Sequence, residues 1–370
     1  MDARGWDGVD VVFVSGDAFV DHSSFAAAIL ARALEAEGFR VAVLCQPDWR
    51  SAEPWRTFGR PRLFFAVSAG NMDSMINHYT AGRKVRNDDA YSPGGRIGLR
   101  PDRATIPYCQ RAREAFAGVP VIAGGVEASL RRMAHYDYWS DAVRPSILMD
   151  SKADLVGYGM GEETIVEIAR RLRDGKTVKD CRDLRGVAYA LGAREPVPAG
   201  PDVVEVPSFE AVKSSKDDFL KAAHLLHRET SPFNAKTVVQ RHGARAVVVT
   251  PPRLPLAQER MDFYYGLPFT RRAHPAYGSD KIPAWEMIKD SVTIMRGCFG
   301  GCTFCSITAH QGRTIQSRSK ESVLTELNAM AADPEFKGVV SDLGGPTANM
   351  YKMRCTKPEI EKICKRLSCV

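Results

Sequence analysis

Short apolar runs recur through the first half of the chain, separated by stretches in which apolar and polar residues alternate with a helical period. The runs are Val11–Val14, Val41–Leu44, Leu63–Val67, Val119–Ala123 and Leu155–Tyr158. Runs of this length without internal alternation are typical of strands that are buried on both faces. We therefore predict five strands of an inner sheet.

Helical patterns lie between these strands. One apolar face is formed by Phe25, Ile29, Leu30, Ala33 and Leu34, and Gly38 ends that helix. A second helix is predicted from about Glu163 to Arg173, with Gly175 behind it. Because strands and helices alternate, right-handed crossovers and a doubly wound, Rossmann-like parallel sheet are expected.

Several predicted strands end in small residues, at Ser15-Gly16, Ser68-Ala69-Gly70, Gly124-Gly125 and Gly159–Gly161. Two interpretations stay open. The glycines serve tight loop geometry, or they line a crevice for a nucleotide-sized or corrin-sized ligand. The chain has neither a GxGxxG fingerprint nor a GxxxxGK[ST] motif, which argues against a dinucleotide and against a P-loop.

The middle of the chain is less regular. Residues 193–207 are rich in proline, glycine and acidic residues and are predicted to form a connection. A helix follows over Ser215–His227, and Thr237–Gln240 and Ala246–Thr250 are predicted to pair as a hairpin. Residues 251–285 lack a clear period and are expected to form an ordered strap.

A new strand and helix series begins near Asp290. Val292–Met295 and Gly338–Ser341 are predicted strands, each followed by a helix, over Ser319–Met330 and Pro358–Leu367. Ser319 is the expected N-cap of the first of these helices. The pattern amounts to two βα units of a larger fold.

Composition places the chain among globular proteins, with 44% hydrophobic and 26% charged residues. It has no apolar run long enough to span a bilayer and no signal-peptide pattern, so we expect a cytoplasmic protein without membrane contact. Nine cysteines are then expected to be reduced or metal-bound. The net charge of +7 is modest, and no recognition motif indicates a nucleic-acid partner.

The most informative motif is the CxxxCxxC pattern of Cys298, Cys302 and Cys305. Three thiolates on one glycine-rich loop suit an iron–sulfur cluster and leave one iron without a protein ligand. The alternatives are a structural zinc site and unliganded cysteines. Zinc would need a fourth ligand, for which His310 and Cys355 are candidates.

With its flanking residues, this motif resembles the radical SAM superfamily and, within it, the YgiQ family. The resemblance is carried by residues 294–307, 342–351, 124–132 and 135–141, and it extends over essentially the whole chain. It implies an N-terminal, cobalamin-binding-like α/β domain over residues 1–195 and a connecting α/β extension and strap over 196–285. Residues 286–370 would begin a TIM-like radical SAM barrel. Since two βα units are visible, we expect the barrel to be truncated and the activity of this chain to be uncertain.

The resemblance also implies a chemistry. Cys298, Cys302 and Cys305 would hold a [4Fe–4S] cluster, and S-adenosylmethionine (SAM) would be cleaved reductively to a 5′-deoxyadenosyl radical that attacks an unknown, small-molecule substrate. The backbone of Leu343, Gly344 and Gly345 would receive the SAM amino group, although Pro346 replaces the glutamate of the superfamily's usual turn. Phe304 would lie near the adenine. An electron donor such as flavodoxin or ferredoxin is the implied partner.

Two further sites are left open. Cys355, Cys364 and Cys369 are either ordinary cysteines or a second cluster or metal site. The N-terminal domain resembles cobalamin-binding domains, but Asp21-His22 does not fit the DxHxxG ligand pattern, so cobalamin is disfavoured and His22 is expected to be a cap or a surface residue. The alternative to an enzyme is a non-catalytic metal- or cobalamin-binding module.

Overall fold

The computed structural model describes residues 4–347, 350–366 and 368–369 as a series of short strands and helices. The strands are β1 (Val11–Ser15), β2 (Val41–Cys45), β3 (Phe64–Ser68), β4 (Val121–Gly124), β5 (His135–Asp137), β6 (Ala142–Arg144), β7 (Leu155–Gly157), β8 (Val187–Leu191), β9 (Val203–Val206), β10 (Thr237–His242), β11 (Arg245–Val249), β12 (Ser291–Thr293), β13 (Met295–Arg296), β14 (Gln316–Ser317) and β15 (Asp342–Gly344).

The helices lie mainly between these strands. They are α1 (Ala26–Ala36), α2 (Ser74–His78), α3 (Thr105–Ala115), α4 (Gly125–Leu130), α5 (Ile147–Ser151), α6 (Glu162–Arg173), α7 (Phe209–Ser214), α8 (Lys216–Arg228), α9 (Gln258–Tyr265), α10 (Pro283–Ile288), α11 (Ile307–Gln311), α12 (Lys320–Ala331) and α13 (Pro358–Glu361). The helix predicted over Pro358–Leu367 is wrong in its second half, because it ends at Glu361. Leu367, the motif residues Ala348 and Asn349, and residues 1–3 and 370 at the limits of the predicted domains lie outside the described residues.

A large mixed sheet forms the centre of the molecule, with nine strands among the described residues in the order β2-β1-β3-β4-β7-β8-β11-β10-β9. The five strands from β2 to β7 are parallel, as the apolar runs predict. Beyond β7 the sheet is mixed, because β8, β11 and β10 are each antiparallel to the preceding strand, and β9 pairs parallel to β10. The sheet is therefore mostly but not wholly parallel.

Alternate residues of the inner strands point to opposite faces, and helices cover both. Val12, Val14, Phe65 and Val67 pack on the face that carries α3, and Val11, Phe13, Phe64 and Ala66 pack on the face that carries α1 and α6. At about 25 cal/mol per Å² of buried apolar surface, these two faces provide most of the hydrophobic stabilisation. The result is an α/β sandwich with the strand ends free to build a site.

The middle segment contributes to this same sheet. The hairpin predicted at Thr237–Gln240 and Ala246–Thr250 is confirmed as β10 and β11. The expectation of a simple connection over residues 193–207 is wrong in part, because Val203–Val206 forms the edge strand β9. The strap over residues 251–285 also contains α9, whose Met261, Tyr264 and Tyr265 are buried against the sheet domain.

The last part of the chain forms a separate βαβ unit. Strands β12 and β15 pair in parallel, and α12 connects them with Ser319 as its N-cap, as predicted. The strand predicted at Gly338–Ser341 is wrong, because pairing begins at Asp342 and Val339 is 70% exposed. A barrel would need a series of parallel strands, of which β12 and β15 form one pair. The barrel itself stays a prediction.

A buried ion triad closes the sheet at its switch point, between β1 and β3. The guanidinium of Arg100 lies 2.7 Å from Asp17 and 3.0 Å from Asp89, and it also donates to the carbonyl of Ala69 at 3.1 Å. A Cβ on Gly16 would lie 2.1 Å from that carbonyl oxygen. Gly16 therefore serves close contact between the ends of β1 and β3, at the switch point where such sheets often bind ligands.

Replacing Arg100 with methionine is expected to lower the free energy of unfolding by about 3–5 kcal/mol, because two carboxylates stay buried without their cation. Urea denaturation followed by circular dichroism measures the change. Arg50→Met is the control, since the pair of Arg50 with Asp48 is exposed and should contribute less than about 1 kcal/mol. Equal losses in the two variants would refute a structural role for the triad.

Candidate functional site

The cysteine motif lies on a loop closed at its base by β13 and β14. These short strands pair antiparallel, with Met295 opposite Ser317. The N–H of Cys298 donates to the carbonyl of Gly312 at 3.1 Å, which tightens the loop further. Gly297 has φ +85°, and a Cβ there would lie 2.3 Å from the carbonyl oxygen of Thr314. The loop can therefore close only with glycine at this position.

Two of the three thiols lie on either side of Gly300. A Cβ at Gly300 would be 3.4 Å from the Sγ of Cys298 and 3.9 Å from the Sγ of Cys302, and the Gly300 N–H donates to the Cys298 sulfur at 3.4 Å. Cys298 is buried, Cys305 is half-buried and Cys302 is exposed. The Gly300 N–H thus contacts the sulfur of Cys298 from within the loop.

The donor set fits an iron–sulfur cluster in its chemistry, because all three thiols are free and on one loop. Within residues 4–347, 350–366 and 368–369, however, no group of three or more His, Cys, Asp or Glu side chains is close enough to hold a metal ion. Cys298, Cys302 and Cys305 are thus not assembled into a ligand set in this structure. The three ligands therefore stay a prediction.

The predicted SAM-binding turn contacts the strand that leads into this loop. A Cβ on Gly345 would lie 2.8 Å from the carbonyl oxygen of Met295, and the N–H of Ile294 donates to the carbonyl of Gly344 at 2.8 Å. Leu343 is half exposed. Sequence positions that are 50 residues apart thus meet because β12 and β15 are neighbours.

Phe304 is 91% exposed, so its ring faces solvent and not a binding surface. Its predicted contact with adenine stays a prediction.

A cavity of about 500 Å³ separates the cysteine segment from the carboxyl edge of the large sheet. The sheet side is lined by the glycines after β4 and β7, namely Gly124, Gly125, Gly159 and Gly161. The opposite side is lined by Thr293, Arg296, His310, Gly344 and Gly345. The glycines at these two strand ends therefore border open space, as does Gly70 after β3, whereas Gly16 is packed against the carbonyl of Ala69.

A buried ion pair holds the cysteine segment against the sheet. The guanidinium of Arg296, two residues before Cys298, lies 2.5 Å from the carboxylate of Glu162 at the start of α6. Their side chains are only 2% and 3% exposed. Arg296 also lies over the ring of Tyr265, at 5.5 Å from the ring centroid. The pair therefore holds the strand before the cysteine loop in position against the start of α6.

His310, on α11 just after the third cysteine, makes a second anchor. Its Nδ1 lies 3.1 Å from the Oγ of Ser129 on α4, and the carbonyl of His310 packs against Gly159. Burial lowers the pKa of His310 to about 4; Glu162 opposes this shift, and the nearby cations Arg132 and Arg296 add to it. His310, a candidate zinc ligand from the sequence, thus serves here as a neutral contact between α11 and α4.

The three cysteines of the predicted second site make separate contacts. The carbonyl of Cys364 accepts from Arg313 at 2.9 Å, the N–H of Cys369 donates to the carbonyl of Phe299 at 3.1 Å, and Cys355 is exposed. A site made of these three is not assembled in the described part of the chain. It stays a prediction.

His22 is fully buried, so the expectation of a surface residue is wrong, and the N-cap of α1 is Phe25, so His22 does not cap that helix either. Its Nδ1 accepts from the N–H of Ser24 at 3.1 Å. Asp21 pairs with Arg32 and accepts from the N–H of Thr270 at 2.9 Å. Both residues are therefore occupied in holding the approach to α1.

Sequence reasoning missed the roles of Glu162, Arg296, Ser129 and Gln311. Gln311 accepts from the N–H of Gly297 at 3.1 Å and so supports the loop from α11. The one available signal was an arginine inside the apolar strand just before the cysteines, which requires a buried partner.

Comparison with known proteins gives a consistent result. The profile of the radical SAM N-terminal family matches residues 1–291. A UPF0313 protein of Bradyrhizobium diazoefficiens is 54% identical over all of this chain and 58% of its own length. One of Geobacter sulfurreducens is 55% identical over 99% of the chain and 60% of its own length. YgiQ of Escherichia coli is 49% identical over the whole chain and 57% of its own length.

The chain thus spans somewhat less than two thirds of the length of these relatives. Among solved structures, the radical SAM methyltransferase TsrM of Kitasatospora setae aligns with 87% of the chain and 45% of its own length, at 16% identity and a TM-score of 0.44. A similarity this weak carries no functional argument. Within the described residues, no helix is long and apolar enough to cross a membrane.

Arg296→Met is expected to lower the free energy of unfolding by about 3–5 kcal/mol, because Glu162 is left buried and unpaired. The double variant Glu162→Gln with Arg296→Met should recover much of that loss, since no charge then remains buried. Urea denaturation of both proteins measures the difference. Arg260→Met, which breaks a more exposed pair with Glu163, is the control. A double variant no more stable than Arg296→Met would contradict the assignment.

Acid sensitivity is expected to decrease in His310→Gln. The folded pKa of about 4 lies below the ordinary 6.5, so the unfolded chain takes up the proton first and stability falls as the pH drops from about 6.5 to 4. Burial also lowers the pKa values of His22, His135 and His242, so the variant should lose only part of this dependence. Thermal unfolding between pH 7 and pH 4 measures it, with the exposed His227→Gln as control. Parallel pH profiles for wild type and His310→Gln would disprove the interpretation.

Proposed function

We propose that this chain, which belongs to the radical SAM N-terminal family and to its YgiQ branch, forms the cluster-bearing part of a radical SAM enzyme. In this proposal Cys298, Cys302 and Cys305 are the ligands of a [4Fe–4S] cluster. The observation that carries it is the position of two of these thiols within 3.9 Å of the place that a Cβ at Gly300 would take, on a loop whose flanking residues Arg296 and Ile307 line the large cavity.

When bound, the cluster and SAM supply a one-electron reductive cleavage of the sulfonium bond. The residues of this chain provide position. The carbonyls of Leu343, Gly344 and Gly345 are the proposed acceptors for the SAM amino group, and Gly345 brings that turn against the cysteine strand. Because Pro346 has no carboxylate, backbone acceptors take the place of a side chain.

The cavity is the proposed place of the substrate. Its walls combine apolar side chains, such as Ile29, Ile122 and Ile165, with polar groups near the cysteine segment. Such a lining excludes much of the bulk water that would otherwise quench a reactive intermediate. A small substrate would therefore lie between the sheet edge and the loop, with its reacting atom on the loop side.

Electrons would arrive from the opposite side of the loop. Cys302 and Phe304 are exposed there, so a small redox protein such as flavodoxin or ferredoxin has access to the cluster edge without entering the cavity. This arrangement keeps the electron path and the substrate on different faces of the loop.

Cys302→Ser is expected to abolish cluster assembly, because three thiolates are the minimum ligand set proposed for the cubane. Anaerobic reconstitution with iron and sulfide, followed by iron analysis and EPR of the reduced protein, measures the loss. Release of 5′-deoxyadenosine from SAM should disappear in parallel. Cys45→Ser, which changes a partly buried cysteine outside the loop, is the matched control.

Other results would contradict the proposal. Stoichiometric zinc in place of iron would favour a structural metal module. A protein that carries the cluster and releases no 5′-deoxyadenosine under reduction would retain the cluster assignment and lose the enzymatic one. Iron above four per chain that falls in Cys355→Ser would support a second cluster.

A further inference from the structure

A smaller cavity of about 80 Å³ adjoins the large one on the far side of α11. The two cavities share Gly159, Met160 and Glu162 from the sheet edge, and His310 and Gln311 from α11. Three arginines line the smaller cavity, namely Arg132, Arg253 and Arg313. We call this group of arginines the arginine pocket.

Arg132 is the unusual member, because it is only 7% exposed and forms no ion pair with any carboxylate in the described residues. Its guanidinium donates to the carbonyl of Ser129 and lies 4.5 Å from the ring centroid of Tyr158. Its Nε is buried and finds no acceptor among the described residues. A desolvated cation with an unused donor is costly unless an anion compensates it.

The carboxylates nearby are already paired. Glu162 binds Arg296, and Glu163 lies 2.7 Å from Arg260 and 3.6 Å from Arg253. The positive charges of Arg132 and Arg313 therefore have no counterpart in the described parts of the chain that line this cavity. The guanidinium of Arg313 donates to the carbonyl of Cys364, which leaves its charge available.

We propose that the arginine pocket binds the phosphate group of a small phosphorylated substrate, whose remaining part extends into the large cavity. The guanidinium fork matches the oxygens of phosphate and can donate two parallel hydrogen bonds. Three cations suit a dianion better than a single carboxylate, and the volume admits a compact group and not a nucleotide. Because the two cavities share five lining residues, the organic part of such a molecule is proposed to pass along α11 into the large cavity.

This inference rests on the proposed function in one respect, namely that the phosphorylated ligand is the substrate of the enzyme. The phosphate site itself can be tested without a cluster. Titration calorimetry of the full-length protein before reconstitution, with inorganic phosphate as the probe, should show saturable binding. Phenyl phosphate should bind more tightly than inorganic phosphate, because its ring enters the large cavity. The affinity for acetate should be at least about tenfold lower than the affinity for phosphate.

Variants separate the pocket from general positive charge. Arg132→Gln and Arg253→Gln should each weaken phosphate binding about tenfold or more, and Arg132→Lys should retain part of it. Arg245→Gln, on β11 and outside both cavities, is the matched control and should change the affinity less than about twofold. If Arg132→Gln fails to fold, Arg253→Gln still decides, since its side chain is 32% exposed and packs less tightly.

The proposal is overturned if wild type shows no saturable phosphate binding, or if Arg253→Gln binds phosphate as well as Arg245→Gln does. If inorganic phosphate binds more tightly than phenyl phosphate, the proposal of a phosphorylated organic substrate is refuted, and the pocket is a site for the free ion. Phosphate binding without 5′-deoxyadenosine release after reconstitution would remove the proposed enzymatic function and retain the pocket, so the two failures are distinguishable.

Discussion

The ion pair between Glu162 and Arg296 is the contact on which the arrangement of the site depends. It joins the first turn of a helix on the large sheet to the strand that precedes the cysteine loop, and both side chains are almost fully buried. A buried pair of this kind contributes little net stability compared with an apolar contact, but it tolerates only one relative position of its partners. The pair thereby sets the distance between the start of α6 and the strand before the cysteine loop, and with it the width of the cavity between them.

The closed switch point explains why the cavity lies where it does. In an open α/β sheet the crevice between the two oppositely wound halves commonly receives the ligand. Here Arg100 and its two aspartates occupy that position, and the ends of β1 and β3 touch. The large cavity extends from Ser68 and Gly70, at and just after the end of β3, to the glycines at the ends of β4 and β7. The strand before the cysteine loop and α11 line its opposite side.

Local patterns predicted the inner fold well, because strands buried on both faces leave an unmistakable apolar run, as at Val11–Val14. Turn residues around Gly243 likewise identified the hairpin of β10 and β11. Sequence patterns failed where the pairing partner decides the structure. Val203–Val206 becomes a strand because β10 lies beside it. Gly338–Ser341 does not become a strand, because β12 pairs with Asp342–Gly344 instead. For the candidate site, the sequence pattern identified the three thiols and the glycine turn. It could not identify Glu162 as the partner of Arg296, because the two residues are 134 positions apart in the chain.

The unequal exposure of the three motif cysteines has a consequence for the chain before any cluster is assembled. Oxidants in solution reach the thiol of Cys302 first, whereas Cys298 is shielded by its own loop. Oxidation beyond the sulfenic state is irreversible for most proteins. Air oxidation of this motif is thus expected to begin at Cys302, followed by the half-buried Cys305, with Cys298 last.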